Sequence, residues 1–233
     1  MHDPQHARHA LGRVSIVPPD VSWPEHFSRE RERLRPFLGS IADELQHYGS
    51  TAIAGLSAKP IIDMMAPVVS LDQADALAPC LATAGYRKID AGFIKRRFFR
   101  RIAADLAYHL HLAVSPTWPI KNELLFRDWL IKHPEVARAY EALKVELAAM
   151  YGDNMPRYTA EKTSFLRGAV NDARLCQGLP PRKIGRNSFD SHSPIGSERE
   201  SSHRHPDIRS RPSCSTIDGA NDDRQTSFGF LVQ

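Results

Sequence analysis

The alternation of apolar and polar residues divides the chain into two parts. In the first part, apolar residues recur at helix or strand spacing between short turns, whereas the last part is rich in Ser, Arg and Pro and has no periodic apolar face. Nine of the thirty residues from Asn187 to Thr216 are Ser. Such a composition buries too little apolar surface to offset the entropy lost on folding. We therefore expect a folded domain over 14–175, a flexible N-terminus over 1–13 and a disordered, low-complexity tail over 176–233.

Within the folded part, the spacing predicts alternating helices and strands followed by a run of helices. The near-continuous apolar run PIIDMMAPVV is typical of a central buried strand, and its only charged residue is Asp63. We expect an α+β fold with a mixed β-sheet, flanking helices and a helical C-terminal half. The predicted helices are Ser22–Leu38, a short segment Ala52–Leu56, Leu71–Ala84, Asn122–Lys132, Glu135–Tyr151 and Tyr158–Leu175, and the predicted strands are Glu44–Tyr48, Pro60–Val69, Tyr86–Asp90, Phe93–Ile102 and Tyr108–Val114.

Composition narrows the class of protein. The chain has 233 residues, of which 42% are apolar and 25% charged, as in a soluble globular protein. No apolar run approaches the roughly 20 residues of a membrane span, and the N-terminal residues lack the apolar core of a signal peptide, so we expect a cytoplasmic protein without a membrane partner. The three cysteines are far apart and match no C-x-x-C spacing, so we expect free thiols. A net charge of +4 permits phosphate binding without requiring nucleic acid.

The candidate chemistry is concentrated in HYGSTAIAGLSAKPIID, residues 47–63. Gly49 allows close approach of the backbone, and Ser50 and Thr51 offer hydroxyls and amides at the start of a short helical segment, where partial positive charge favours phosphate oxygens. A carboxylate on a buried strand is costly unless it is paired or binds a cation, so Asp63 is a candidate ligand for Mg²⁺ or Mn²⁺. The combination favours this interpretation over the alternative, a structural turn with Asp63 neutralised by a neighbouring lysine or histidine.

FIKRRFFRR predicts a strand whose basic residues alternate between two faces. One face carries Lys95, Arg97 and Arg101, and the other carries Arg96 and Arg100. We expect one face to contact phosphate, with Arg97 as the candidate. The alternative, of at least equal weight for Arg96 and Arg100, is a solvated edge strand that charge protects from aggregation.

Two histidines and two lysines complete the candidate set. His109 and His111 are two residues apart on a predicted strand, so they share a face and are candidates to bind a cation with Asp63, to act as acid and base, or to hydrogen-bond phosphate. Histidines satisfied within the core are the equally weighted alternative. Lys59, just before the buried strand, and Lys162, on a C-terminal helix, are candidate phosphate contacts and equally good candidates for surface lysines.

These segments resemble the GrpB family of small bacterial proteins, which is assigned to the nucleotidyltransferase superfamily of polymerase-beta-like folds. The resemblance covers roughly Val14 to Leu175, with motif order and spacing in agreement throughout. It is strongest over residues 47–63. The other matching motifs are WPEHF at 23–27, LG at 38–39, GY at 85–86, RRFF at 96–99, HLH at 109–111, LLFRDWLIKHPE at 124–135, and Tyr158 with Lys162 and Phe165.

The resemblance implies a signature in which Gly-Ser is followed, about a dozen residues later, by two acids at alternate positions of a strand. With a third acid on a later strand, these hold the divalent ions that carry a nucleoside triphosphate. Asp63 matches the first acid, but Met65 stands at the second position, and a thioether is a poor Mg²⁺ ligand. The strand YHLHLAV carries His109 and His111 in place of the third acid. The implied metal site is therefore incomplete.

Two functions remain open from the sequence. The first is a metal-dependent nucleotidyltransferase acting on an unknown small-molecule or protein acceptor, with Ser50 and Thr51 at the phosphates, Asp63 at the metal and Arg97 at the developing charge. The second is a non-catalytic nucleotide- or phosphate-binding module, which related domains fused to dephospho-CoA kinase link to coenzyme A metabolism. The expected partner is a nucleoside triphosphate or another phosphorylated small molecule. Nucleic acid is disfavoured because the aromatic residues beside the basic strand are expected to be partly buried. The oligomeric state stays open.

Overall fold

Five strands form one mixed β-sheet in a computed structural model that describes residues 13–104, 106–114, 118 and 121–181. The strands lie in the order β1-β2-β5-β4-β3, with β2 and β5 parallel and every other neighbouring pair antiparallel. Their bounds are β1 (Gln46–Tyr48), β2 (Ile61–Val68), β3 (Arg87–Ile89), β4 (Arg96–Ala103) and β5 (Leu106–Val114).

The helices flank this sheet and dominate the C-terminal half of the described chain. None of those described is long and apolar enough to cross a bilayer. The α-helices are α1 (Trp23–Leu38), α2 (Leu71–Ala76), α3 (Ala78–Thr83), α4 (Asn122–Lys132), α5 (Pro134–Tyr151) and α6 (Met155–Cys176), and two 3₁₀ helices span Gly39–Glu44 and Ser50–Ala52.

The predicted α+β class, with a mixed sheet and a helical C-terminal half, is confirmed. The predicted helix Leu71–Ala84 is instead two helices that meet at Leu77, because Pro79 has no N–H for a continuous hydrogen-bond ladder. The expected flexible N-terminus and tail lie outside the described residues, apart from Arg13 and 176–181. Cys80 is a free thiol, as predicted, and Cys214 lies outside the described residues.

One face of the sheet is covered by α1, α2 and α3. Leu34 of α1 and Leu81 of α3 are fully buried against Met64 of β2 and Leu110 of β5. The position of β2 between β1 and β5 explains its near-continuous apolar sequence, since both of its faces are covered over most of its length. Because this core covers one face of the sheet, only side chains on the other face can line a binding site.

Helices α4, α5 and α6 form a second apolar cluster. Trp129, Tyr140 and Val170 pack together with Ile53 and Leu56 of the segment that precedes β2. A further contact ties α4 to the sheet, because the Arg127 guanidinium donates to the His47 carbonyl of β1 at 2.7 Å. Arg127 also forms an ion pair with Asp128. Residues of α4, α5 and α6 therefore line the second face of the sheet, which we call the cleft face.

Candidate functional site

Asp63 lies in the middle of β2 and projects to the cleft face. It pairs in register with Tyr48 of β1 and His109 of β5. Gly49, next to Tyr48, has a φ of +75°, and a Cβ added there would lie 2.5 Å from Asp63 Oδ2. A residue with a side chain would therefore be strained and would also displace the carboxylate, so glycine is required at this position. The group that the Gly49 backbone approaches closely is therefore the Asp63 side chain.

Asp63, His109 and His111 converge on one point of the cleft face. Nδ1 of His109 lies 3.1 Å from Oδ1 of Asp63. One ligand atom from each of the three residues lies within 4.8 Å of the other two. The rings of both histidines contact Phe98 of β4, His111 by stacking at 4.6 Å and His109 edge-on at 4.9 Å. The structure thus brings the three residues together. The contact between His109 and Asp63 also agrees with the alternative interpretation of the sequence, in which a neighbouring histidine pairs with Asp63.

The turn after β1 separates Ser50 from Thr51. Ser50 lines the cleft, and its Oγ accepts a hydrogen bond from Lys144 Nζ at 3.0 Å. Thr51 points inward, is buried, and donates from Oγ1 to the Ile61 carbonyl at 2.8 Å. Its hydroxyl is therefore not presented to a ligand, and the predicted phosphate contact is not formed by the Thr51 side chain. The segment that begins at Ser50 is a single 3₁₀ turn of three residues, too short to supply the helix-end charge expected from the sequence.

His47 completes the inner side of this turn. Its Nε2 lies 3.0 Å from Thr51 Oγ1. Because the only hydroxyl proton of Thr51 is donated to Ile61, Nε2 of His47 must carry the proton of this contact. Burial lowers the pKa of His47 to about 4, against the opposing effect of Asp63, so the ring is neutral at pH 7. His47 and Thr51 therefore hold the turn rigidly and leave Ser50 as the side chain that faces the cleft.

Three lysines from three separate segments line the same cleft as Asp63. Lys59 precedes β2, Lys144 lies on α5 and Lys162 on α6, where its ammonium sits 4.3 Å from the centre of the Tyr158 ring. Burial lowers the pKa of Lys59, with Asp63 acting in the opposite sense. The predicted lysines Lys59 and Lys162 are thus both placed at the cleft. Glu123, the other carboxylate of the cleft, is paired with Arg96, so the lysines outnumber the remaining carboxylate, Asp63.

Lys144 is the most buried of these lysines, with 2% of its surface exposed. It donates to the Ser57 carbonyl as well as to Ser50. Glu141, one helical turn away, accepts from the Ser57 N–H at 2.7 Å, so α5 holds Ser57 by both of its backbone groups. Burial lowers the pKa of Lys144 to about 7. An ammonium has three N–H donors, so one is left for a ligand in the cleft.

The arginines of β4 do not lie as the sequence analysis expected. Arg97 lies on the opposite face of the sheet and forms a bidentate pair with Asp75 of α2 at 2.8 Å. Arg101 of the same face binds the buried Glu30 of α1. Arg96 instead faces the cleft and pairs with Glu123 at 2.7 Å, with both side chains about nine-tenths buried. The structure therefore does not bring Arg97 to the site, because α1 and α2 cover the face that carries it.

Aromatic rings form the remaining wall of the cleft. Tyr48, Tyr140 and Tyr158 line it, and burial raises the pKa of each hydroxyl above its ordinary value. These hydroxyls stay protonated at neutral pH and can donate hydrogen bonds. Lysine amines, a serine hydroxyl and phenol groups thus line the cleft together with Asp63 and the ion-paired Glu123. This set of groups is suited to a ligand with several anionic oxygens and an attached apolar or ring-bearing part.

The matched region extends over most of the chain, because residues 13–172 match the family described as GrpB protein. The chain belongs to the GrpB family. The crystal structure of conserved protein GrpB from Enterococcus faecalis is similar to this chain with a TM-score of 0.62 at 28% identity, covering 68% of this chain and 96% of that one. The resemblance drawn from the sequence motifs is thus confirmed.

Two relatives of this GrpB family member extend beyond the matched region. UPF0157 protein YqkA from Bacillus subtilis is 33% identical over 163 residues, which are 70% of this chain and 48% of YqkA. Dephospho-CoA kinase from Mycobacterium tuberculosis is 31% identical over 190 residues, which correspond to 70% of this chain and 47% of the kinase. The chain spans about half the length of each of these relatives.

Lys144 is one of the site residues that the sequence analysis missed, although a signal was present in this GrpB sequence. The buried positions of α5 are Ala137, Tyr140, Lys144 and Leu147, which form one stripe at helical spacing. A lysine in an otherwise apolar stripe requires polar partners inside the protein. That irregularity, like Asp63 in its apolar strand, marks a residue of the cleft.

Proposed function

We propose that the cleft binds a nucleoside triphosphate, or another phosphorylated small molecule, with a divalent cation, and that the protein transfers a nucleotidyl group to an acceptor hydroxyl or amine. The observation that carries this proposal is that Lys59, Lys144 and Lys162 line one cleft together with Ser50 and Asp63, with Lys144 bonded to Ser50. Burial lowers the pKa of Lys144 to about 7 and also lowers that of Lys59, and an anion bound beside these amines would restore their positive charge. A polyphosphate supplies several negative charges within one small ligand.

In this proposal, Ser50 and the three lysines hold the terminal phosphates, and the α-phosphate lies toward Asp63. Lysines act as strongly hydrated point charges and suit phosphate oxygens. The charge of Arg96 is neutralised by Glu123, so in this proposal Arg96 forms part of the cleft wall and adds little positive charge. The aromatic wall places the base or another apolar part of the ligand. Fixing the phosphates in this way orients the α-phosphate for in-line attack, which is the main protein contribution to phosphoryl-type transfer.

Asp63, His109 and His111 are the residues that would hold the cation. Two ligands about 2.1 Å from one ion lie no more than about 4.2 Å apart, so ligand atoms already within 4.8 Å of one another need only small rotations. Mg²⁺ prefers oxygen ligands, whereas imidazole nitrogen suits ions of the transition series. This donor set fits Mn²⁺ better than Mg²⁺. When bound, such an ion neutralises phosphate charge in the transition state.

Binding without transfer is the second candidate function, and Met65 favours it. Met65 is fully buried two residues after Asp63, at the position where the resemblance implies a second acid. A site with one carboxylate supports fewer metal contacts to the transferring phosphate. The similarity to dephospho-CoA kinase associates such a module with coenzyme A metabolism. In this case the phosphorylated ligand would bind to the cleft and remain intact.

Two substitutions at the cleft should separate phosphate contacts from cation contacts. We expect Ser50→Ala to weaken nucleotide binding by about 1 kcal/mol, roughly fivefold, with or without metal, because one hydrogen bond is lost. Asp63→Asn should remove chiefly the metal-dependent part of the affinity, because an amide is a weaker cation ligand than a carboxylate. Calorimetry with each nucleoside triphosphate, alone and with Mg²⁺ or Mn²⁺, measures both effects.

Lys132→Ala is the matched control, because Lys132 is an exposed lysine of α4 outside the cleft. Release of pyrophosphate in the presence of candidate acceptors then separates the two functions. Nucleotide binding without release under any metal would favour the binding module. The proposal fails if no nucleotide or pyrophosphate raises the melting temperature, or if Asp63→Asn unfolds the protein while the affinity of its folded fraction is unchanged.

A further inference from the structure

An in-register row of side chains crosses the whole cleft face of the sheet. The register pairs Tyr48 with Asp63, Asp63 with His109, His109 with Arg100, and Arg100 with Arg87. Residues paired in this way project to the same face of a sheet. The row therefore continues from the candidate cation ligands, across β4, to the far strand β3. Its last two members are both arginines.

Arg87 and Arg100 lie directly opposite each other, and among the described residues no carboxylate lies within 4.0 Å of either guanidinium. Each of the other basic residues of β3 and β4 does have a carboxylate partner. Arg96 pairs with Glu123, Arg97 and Lys88 pair with Asp75, and Arg101 pairs with Glu30. Like charges directly opposite in a sheet are destabilising. Burial, and after it the charge of Arg87, lowers the pKa of Arg100.

Protection of a sheet edge does not explain this pair. β3 is an edge strand, so a charged residue at Arg87 is expected there. β4, however, lies between β5 and β3, and Arg100 is partly buried. An interior strand gains nothing from a charge that discourages edge pairing. The presence of an arginine at position 100, beside His109, therefore needs another explanation.

We propose that Arg87 and Arg100 bind the phosphate group of a second, small phosphorylated substrate, whose reacting group lies beside Asp63. Two adjacent guanidinium groups offer ten N–H donors and two positive charges, which match a phosphate dianion. Neighbouring strands are about 4.8 Å apart, so Arg100 lies two strand spacings, about 10 Å, from Asp63 along the row. That separation fits a phosphate several bonds from an acceptor hydroxyl or amine. The role as an acceptor subsite rests on the proposed function, whereas the anion site itself does not.

The test follows each arginine separately by its side-chain Nε–Hε signal in ¹⁵N NMR spectra, with inorganic phosphate as the probe at constant ionic strength. We expect the signals of Arg87 and Arg100 to shift together with one affinity, and that of Arg97, on the opposite face, to stay unchanged. Arg87→Gln should weaken phosphate binding at Arg100 about tenfold. Lys88→Gln, on the same strand but paired with Asp75 on the other face, is the matched control.

Three results would overturn the anion site: an Arg100 signal that does not move, an equal response to chloride, or an equal loss of binding in Lys88→Gln. A sugar phosphate and a short single-stranded oligonucleotide then identify the ligand class, and tighter binding of the oligonucleotide at this pair would contradict a small substrate. The two proposals also fail separately. If phosphate binds at Arg100 but no nucleotide binds at the lysines, only the proposed function is refuted. If nucleotide binds but phosphate does not shift the Arg100 signal, only the subsite is refuted.

Discussion

Replacing Gly49 by alanine should lower the free energy of unfolding by about 3 kcal/mol. A residue with a Cβ at a φ of +75° pays a backbone cost of about 1–2 kcal/mol. The new Cβ would also lie 2.5 Å from Asp63 Oδ2, so the carboxylate must rotate away and lose its contact with His109. An unmade contact of a partly buried charged group costs roughly a further 1–2 kcal/mol. Urea unfolding measures the sum.

Gly55→Ala is a matched control for this prediction. Gly55 has nearly the same φ, +76°, but nothing lies within 4 Å of the Cβ that would be added there. It should therefore pay only the backbone cost, and the difference between the two variants reports the contact with Asp63. Cation binding should be lost in Gly49→Ala and retained in Gly55→Ala. Equal destabilisation of the two variants would show that the close approach of Gly49 to Asp63 contributes nothing.

The sequence was sufficient for the elements whose ends carry strong local signals. The bounds of α1 and α4 agree with the predicted helices because Gly39 ends the first and the apolar spacing of the second is regular. The position of Asp63 and the shared face of His109 and His111 were also predictable. A strand has a period of two, so residues at alternate positions need no tertiary information to be placed on one face.

The choice between the two faces of β4 could not be made from the sequence. Alternation separates Arg96 from Arg97, but it does not say which face the helices cover. That depends on Asp75 and Glu30, which are far away in sequence and pair with Arg97 and Arg101. The inward rotation of Thr51 has the same origin, because its acceptor is the Ile61 carbonyl, ten residues later. Local spacing thus identified the types of residue in the site, and tertiary pairing decided which of them face the cleft.

The stability of the protein should rise with pH above neutrality through Lys144. Its pKa is about 7 in the folded chain, because burial disfavours the ammonium, against an ordinary value of 10.5. Between these values the unfolded chain holds a proton that the folded chain releases, so raising the pH favours the folded state. From pH 7 to pH 9 this linkage adds about 2 kcal/mol to the free energy of unfolding. The buried tyrosines act in the opposite sense only above this window, since their pKa values are raised.

Lys144→Met should reduce this slope by the Lys144 contribution, because methionine has a similar length and does not titrate. The measurement is urea unfolding of both proteins between pH 7 and pH 9, with Lys132→Met as the control for an exposed lysine. Lys59 also has a lowered pKa and remains in the variant, so a smaller slope of the same sign is expected to persist. Identical slopes in the wild-type protein and Lys144→Met would contradict the assignment of this titration to Lys144.

The same residue should couple nucleotide binding to proton uptake. A polyphosphate beside Lys144 favours its ammonium form and raises its pKa again, so at pH 8 the complex should take up nearly one proton that the free protein lacks. Calorimetry in two buffers of different ionisation enthalpy measures this number directly. Lys144→Met should bind at least tenfold more weakly, because it loses a charge-assisted hydrogen bond, and should retain only the proton uptake that Lys59 contributes. Unchanged proton uptake in Lys144→Met would place the bound phosphates away from α5 and leave Lys144 as a support for Ser57 alone.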